Sequence, residues 1–433
     1  MSEMQVISAD SHIQEPPELF SEWLDTKYRD RTPRRETRGG KTYVIVDGKK
    51  PRRVDLADER ATEDDQNREF RSDPTGGRDV IRRLSDMARD GVVGEVIYPN
   101  SSLSLYLSPD PGYQYAVARA YNDWLIQNFV SHRDRFAPVG IVPVIDIPTA
   151  VAEVVRVAKL GYRAIKVPLT VEKRPYNLPD YEPLWSAIEE TGLVLSLHAF
   201  ADSEDYYPED WGEEEGVGGA LIFMAMSMAR GQYPVAELIA SGALQRHPKM
   251  KFVVVECGAG WLAWLLHVLD EQADKKHMWI RPHLEMKPSE FFRRQGSITF
   301  SDDPIALRCL DLIGAETLLW GSDYPHDEGT FPHSQAVIDR IFANVGEADK
   351  RKIVFDNARC LYGIGPCCSP YKRHKDNGGL LSGLEGSGQA SRRSLKLRPR
   401  HSRGSTFRLR SPPVSQWPVT RAGPGRRAGR RRD

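Results

Sequence analysis

Cysteine is scarce: five in 433 residues, at positions 257, 309, 360, 367 and 368. So few and so scattered, with two of them adjacent, they form neither a disulfide framework nor a zinc-knuckle spacing. A reducing, cytoplasmic setting is the expectation. No apolar stretch approaches the roughly 18 residues that mark a membrane-spanning helix, so none is expected. The opening MSEMQVISADSH lacks a basic start followed by an apolar run and does not read as a secretory signal. Nucleotide-binding glycine patterns are missing too. No G-x-G-x-x-G follows the first β-like run and no G-x-x-x-x-G-K-[ST] occurs, so neither a dinucleotide fold nor a P-loop has support. What is present is ordinary for a globular chain, 40% hydrophobic and 28% charged. That is enough for a sizeable core, and it excludes a collagen-like, coiled-coil or wholly disordered protein.

The formal net charge of zero joins two opposed parts. Residues 366–433 hold 17 Lys+Arg against 3 Asp+Glu, and residues 1–365 hold 43 against 57. The tail is rich in Gly, Pro, Ser and Arg and has no apolar periodicity, so it is expected to be disordered. A basic tail is compatible with nucleic-acid binding. A solvated appendage, or a high-GC frame translated out of register, accounts for it more simply, and the acidic body gives nucleic acid no site.

Within 1–365, eight short apolar runs alternate with helix-like stretches. The runs are Gln5–Ala9, Val92–Tyr98, Ala137–Val144, Arg163–Pro168, Leu193–Leu197, Phe252–Val255, Ser297–Phe300 and Thr317–Trp320. The helical stretches include Gly77–Arg89, Tyr113–Val130, Pro148–Leu160, Glu182–Glu190, Val217–Ser241 (long enough for two helices) and Gly260–Glu271. Strand–helix alternation implies right-handed crossovers and a parallel sheet. Eight repeats favour a closed (β/α)8 TIM barrel over an open sheet. An insertion at about 34–66 contains KTYVIVDGKK, where β-formers around Asp47-Gly48 predict a small hairpin. It should sit over the C-terminal face of the barrel.

Polar residues cluster where the runs end, on the face that carries barrel active sites. The first run leads into Asp10-Ser11-His12, and residues two apart on a strand point the same way. The fifth ends at His198 and the eighth at Gly321-Ser322-Asp323. Two imidazoles and two carboxylates, Asp10, His12, His198 and Asp323, make a nest for a divalent cation; zinc or manganese accepts such a mixed N/O set. Each residue also has a plain structural reading, as a hydrogen-bonded core histidine or a helix cap. Glu256, at the end of the sixth run, either moves protons at the site or caps the next helix. His326, three residues after Asp323, is a proton donor or orients Asp323. Lys166 reads as a buried charge partner or an anion contact one layer down, which leaves one metal. Cys257 reads as a small buried hydrophobe. Residues 201–216 carry eight acids together with Tyr206, Tyr207 and Trp211. This loop either closes on a substrate or packs on the rim.

Asp10-Ser11-His12 with Glu15-Pro16, Tyr98-Pro99-Asn100, His198, the run 256–262 (ECGAGWL) and the run 320–326 (WGSDYPH) resemble the amidohydrolase-related family. The branch concerned includes aminocarboxymuconate-semialdehyde decarboxylase and the resorcylate-type decarboxylases. The resemblance runs over about residues 4–364, and the tail lies outside it. It implies a TIM barrel with one divalent ion, zinc first and manganese second, held by Asp10, His12, His198 and Asp323. It also implies a small-molecule substrate, an organic acid or aromatic compound, and a homodimer. The chain departs from the best-known decarboxylases at Asp10, where they carry His or Glu, and at Glu256, where they carry a proton-shuttling His. Asp323, Glu256 and His326 are therefore the expected catalytic groups. The same nest serves decarboxylation or hydrolysis through a metal-bound water. A non-catalytic barrel, or a nucleic-acid binder working through the tail, is the alternative.

Overall fold

The computed structural model describes residues 4–16, 18–45, 47, 51–53, 76–171, 173–200 and 219–365. The expected disordered tail at 366–433, the acidic loop at 201–216 and residues 54–66 of the insertion lie outside the described residues.

The expected barrel is what the chain forms. Eight parallel strands run in the order β1 (Val6–His12), β5 (Val92–Tyr98), β6 (Phe136–Ile141), β7 (Ala164–Val167), β8 (Val194–His198), β9 (Phe252–Val255), β10 (Gly296–Phe300) and β11 (Leu318–Trp320). Strands flanked on both faces read as unbroken β-branched and aliphatic runs, because neither face meets water. All four residues of β9, Phe-Val-Val-Val, are buried, as are all seven of β1. The seam between β1 and β11 is closed just past the strand ends. Ser11 and Tyr324 form a parallel bridge, the Asp323 amide donates to the Asp10 carbonyl at 2.8 Å, and the Ser322 amide donates to Ser8 Oγ at 2.8 Å. Gly321 permits that approach: a Cβ there would stand 2.5 Å from the Asp10 Cβ.

The crossover helices carry explicit start and stop signals. Helix α1 (Val80–Asp90) is capped by the Asp79 carboxylate on the Arg82 amide and ends at left-handed Gly91. The cap explains why it begins three residues later than the pattern alone predicts. Helix α2 (Pro111–Phe129) starts on Asp110 with Pro111 in its first turn, and α3 (Ile147–Leu160) starts on Asp146 and stops at Gly161. Helix α4 spans Glu182–Thr191. The long stretch after β8 does contain two helices, α5 (Gly219–Ala229) and α6 (Gln232–Ala240), and α7 covers Trp261–Lys275. Among the described residues no helix is long and apolar enough to cross a membrane.

The insertion is a three-stranded antiparallel sheet, one strand more than the hairpin expected. Strand β2 (Arg34–Arg38) turns through Gly39-Gly40, both at positive φ, into β3 (Lys41–Ile45), which pairs with β4 (Arg52–Arg53). Asp47, expected in the turn, also anchors the insertion to the barrel. Its carboxylate accepts from Arg31 at 3.0 and 2.6 Å and from Ser108 Oγ at 2.8 Å. Ser108 follows the C-terminal end of β5, so the insertion is tethered on the face that carries the site.

Candidate metal centre

Asp10 and His12 project from the last turn of pleat of β1, His198 ends β8, and Asp323 lies three residues beyond β11. All four are at least 96% buried. His12 Nε2 stands 3.7 Å from Asp10 Oδ1 and 3.4 Å from Asp323 Oδ1, and His198 Nε2 stands 3.4 Å from Asp10 Oδ1. Atoms that each sit about 2.0–2.2 Å from one ion are themselves about 3–3.5 Å apart, so these spacings suit a shared cation. Asp10, His12 and His198 bring one ligand atom each within 4.8 Å of one another, and Asp323 does so with His12 and His326, so His12 is the residue common to the sequence-predicted set across 313 positions.

The donor chemistry fits as well as the distances. His12 Nδ1 is 2.9 Å from the Pro99 carbonyl oxygen and His198 Nδ1 is 3.0 Å from the Ala199 carbonyl oxygen. A carbonyl can only accept, so each Nδ1 carries the proton and each Nε2 turns a lone pair to the centre. Those two Nε2 atoms, with Oδ1 of Asp10 and of Asp323, are buried and have no hydrogen-bond partner. Unpaired buried polar atoms are costly, and a cation among Asp10, His12 and His198 satisfies three of them.

Electrostatics agree. Burial, followed by the charge of Lys166, pulls His198 down to about 3, and burial, followed by His326, lowers His12. Both rings are therefore neutral and competent as ligands at neutral pH. Asp10 is pushed up to about 7, first by burial and then by the Asp323 carboxylate. Burial also tends to raise Asp323, but the His12 and His326 rings beside it outweigh that and hold Asp323 below the usual carboxylate range. Crowded carboxylates in a dry mouth leave a deficit of positive charge that a divalent ion removes.

Glu256 and His326 stand beside the four. Glu256 Oε2 is 3.4 Å from His198 Nδ1 and 4.0 Å from His12 Nε2. Burial, then Asp323 and Asp10, push its carboxyl well above the ordinary range. His326 Nδ1 is 3.0 Å from Asp323 Oδ1, and its ring stacks on His12 with centroids 4.2 Å apart. Burial acts to lower His326, yet the Asp323 carboxylate beside it prevails and its value is raised to about 9. The main chain is strained here. Glu256 (φ 57°), Asp323 (φ 58°) and Phe200 (φ 57°) are the non-glycine residues at positive φ among those described, and each follows the C-terminal end of a barrel strand. Such conformations cost about 1–3 kcal/mol each and gather at active sites.

Lys166 is fully buried on β7 with its Nζ 5.0 Å from the Tyr106 ring, and its charge acts on both His198 and Glu256. Cys257 is buried, with its thiol donating to the Val255 carbonyl. Sequence reasoning missed two contributors. Glu328 comes within 4.8 Å of Glu256, Asp323 and His326 through one ligand atom of each. Asn100 Nδ2 lies 3.5 Å from His326 Nε2. Asn100 was visible only as the last residue of the Tyr98-Pro99-Asn100 motif, and Glu328 only as an acid two residues past His326.

Comparison with known proteins gives this geometry a family. Gamma-resorcylate decarboxylase from Rhizobium sp. (strain MTP-10005) is 24% identical over 300 residues, which is 65% of this chain and 86% of that protein. An amidohydrolase from Mycobacterium avium subsp. paratuberculosis K-10 superposes with a TM-score of 0.65 at 21% identity, over 84% of this chain and 99% of that one. A 5-carboxyvanillate decarboxylase from Novosphingobium aromaticivorans with bound manganese superposes at 0.58 and 17% identity, over 83% and 97% of the two chains. The solved structures establish the fold. The family model described as amidohydrolase matches residues 83–364. Asp10, His12 and Glu15 precede that match, and the geometry alone associates them with the rest. With that match over most of its length, a (β/α)8 barrel and a donor set suited to a divalent metal, the chain belongs to the amidohydrolase family of enzymes.

Proposed function

We propose that this enzyme is a metal-dependent carboxy-lyase acting on a small aromatic acid with an oxygen substituent beside the carboxylate. Asp10, His12, His198 and Asp323 hold one divalent ion, with zinc the first candidate and manganese the second. The observation that carries the reading is the position of Glu256. Its carboxyl oxygen stands 3.4–4.0 Å from the two ligand imidazoles, in a dry site that favours its protonated form. Decarboxylation needs an acid at that place. A divalent ion held there would supply a positive centre for the substrate carboxylate and neighbouring oxygen. The neighbouring oxygen donates electron density into the ring and Glu256 delivers its proton to the carbon that bears the carboxylate. The carbon–carbon bond then breaks, its electron pair restores the aromatic ring, CO2 leaves, and solvent returns a proton to Glu256. His326, held by Asp323, adds positive charge beside the substrate carboxylate. Similarity to decarboxylases of resorcylate type supports the substrate class.

A hydrolytic reading uses the same residues with Asp323 as base, and the Asp323–His326 pair at 3.0 Å favours it. The two are separated by incubating the zinc-loaded and manganese-loaded enzyme with hydroxylated benzoates, lactones and amides. Stoichiometric CO2 with loss of the aromatic acid is expected. Ester, lactone or amide cleavage without CO2 overturns the carboxy-lyase. The reading includes a homodimer in the cytoplasm, checked by light scattering on the purified chain and by fractionation.

A further inference from the structure

The reaction as drawn makes no use of the segment that ends β5, yet that segment touches two of the imidazoles. It is held from below by one carboxylate. Glu15, three residues past His12 and 6% exposed, accepts the backbone amides of Asn100 at 3.0 Å, Ser101 at 2.9 Å and Ser102 at 3.0 Å. It also accepts Ser101 Oγ at 2.9 Å. Four donors occupy the acceptor capacity of a carboxylate, and charge-assisted bonds of this kind are about twice as strong as neutral ones. The clamp ties the end of β1 to the end of β5. It keeps Asn100 at φ −118° and ψ −86°, outside the regular backbone wells. From that fixed segment the Pro99 carbonyl accepts from His12 Nδ1 at 2.9 Å, and the Asn100 side chain meets His326 Nε2 at 3.5 Å.

We propose that Pro99-Asn100, locked by Glu15, is a positioning element of the metal centre. Its carbonyl sets the ring plane and tautomer of His12 toward the ion, and its amide fixes the outer nitrogen of His326 above the substrate space. Glu15 and Asn100 are positioning residues: each acts through another residue, Glu15 through the main chain of 100–102 and Asn100 through His326. The element works on two imidazoles through separate contacts, so its two arms separate by experiment. The kinetic arm rests on the proposed function, and the metal arm does not.

The full-length protein is stripped of metal and titrated with zinc or manganese in the presence of a competing chelator. Wild type, Glu15→Gln and Asn100→Ala are compared, with melting temperature followed alongside. Glutamine turns an N–H toward amides that need an acceptor and loosens the clamp. Outer partners of metal-bound histidines typically contribute about 10–100-fold in affinity, so Glu15→Gln is expected to raise the metal Kd by about that factor. Asn100→Ala should leave the Kd within about threefold, while kcat on the aromatic acid falls about tenfold or more and KM stays within about threefold. An unchanged Kd in Glu15→Gln, or an unchanged kcat in Asn100→Ala, overturns the proposal. Should Glu15→Gln lack a cooperative melt, Ser101→Ala, which removes one of the four bonds, takes its place. A Kd raised a few-fold supports the clamp, and an unchanged Kd overturns it. If the wild type releases CO2 from none of the acids, the proposed function fails and the metal titration alone decides the positioning role.

Discussion

His326 lies flat against His12, ring centroids 4.2 Å apart and planes 29° apart, while its Nδ1 reaches Asp323 at 3.0 Å. A cation-prone ring stacked on a neutral ring keeps two imidazoles in one small space without forcing like charges together. One of them can serve as a ligand and the other as a charge carrier beside it.

That division of labour predicts metal loss on removing a ligand ring. His12→Ala or His198→Ala should drop bound metal from about one per chain to near zero, because each removes one of only two imidazole donors from the set. The far-ultraviolet circular dichroism should stay close to wild type. Metal analysis after gel filtration checks this. Retention of stoichiometric metal in either variant rules the residue out as a ligand.

Glu256→Gln keeps size and hydrogen-bonding reach but removes the proton. A positioned acid contributes about 10²–10⁴-fold, so turnover should fall by that factor with metal content unchanged. Turnover within a few-fold of wild type would leave His326 as the remaining proton donor, and His326→Gln should then show the loss.

The buried face of α1 carries charge. Arg83, fully buried, pairs with Glu95 at 2.9 Å and also donates to the His12 carbonyl. Breaking a buried pair from one side costs about 3–5 kcal/mol. Glu95→Leu should therefore destabilise by about that amount, with a clearly lower urea midpoint. Arg83→Met combined with Glu95→Leu should recover much of it, since no charge is then stranded. A double variant as unstable as the single one would count against the pairing.

Asp90 gives a pH prediction. Burial raises its carboxyl to about 6, partly countered by the bonds from the Ser334 side chain and amide, with Glu95 adding to the rise and His333 opposing it. The folded value lies above the unfolded one, so the protonated form is favoured on folding. That stability is full below about pH 4 and is lost as pH rises through about 6. Asparagine can still accept from the Ser334 amide and donate to its hydroxyl. Asp90→Asn should therefore match wild type at pH 4 and exceed it at pH 8, read as urea midpoints. A variant less stable than wild type at pH 8 contradicts the assignment.

The barrel is expected to fold without the basic tail. Deleting 366–433 should move Tm by less than about 1 °C, under the shift expected for 1 kcal/mol in a domain of this size, and leave metal content unchanged. A large fall in Tm would show that the tail docks on the body.

The fold was legible because its signals are local. A run such as Phe252–Val255 needs only its own residues to read as a buried strand, and Asp146 and Gly161 mark the two ends of one helix. That Asp10, His12, His198 and Asp323 lie at the same end of the barrel was legible, since each sits where a strand runs out and the barrel rule gathers strand ends on one face. What lay beyond the sequence is everything that depends on distance between separate loops. Arg83, Met87 and Asp90 are the buried residues of α1, against any simple apolar stripe, because the elements that receive their charges are far away in the chain. The Glu15 clamp crosses 85 to 87 positions and the Asn100–His326 contact crosses 226. Periodicity carries no information over such spans. Only closure of the barrel, which brings the ends of β1, β5 and β11 within hydrogen-bonding reach, decided which polar residues would meet.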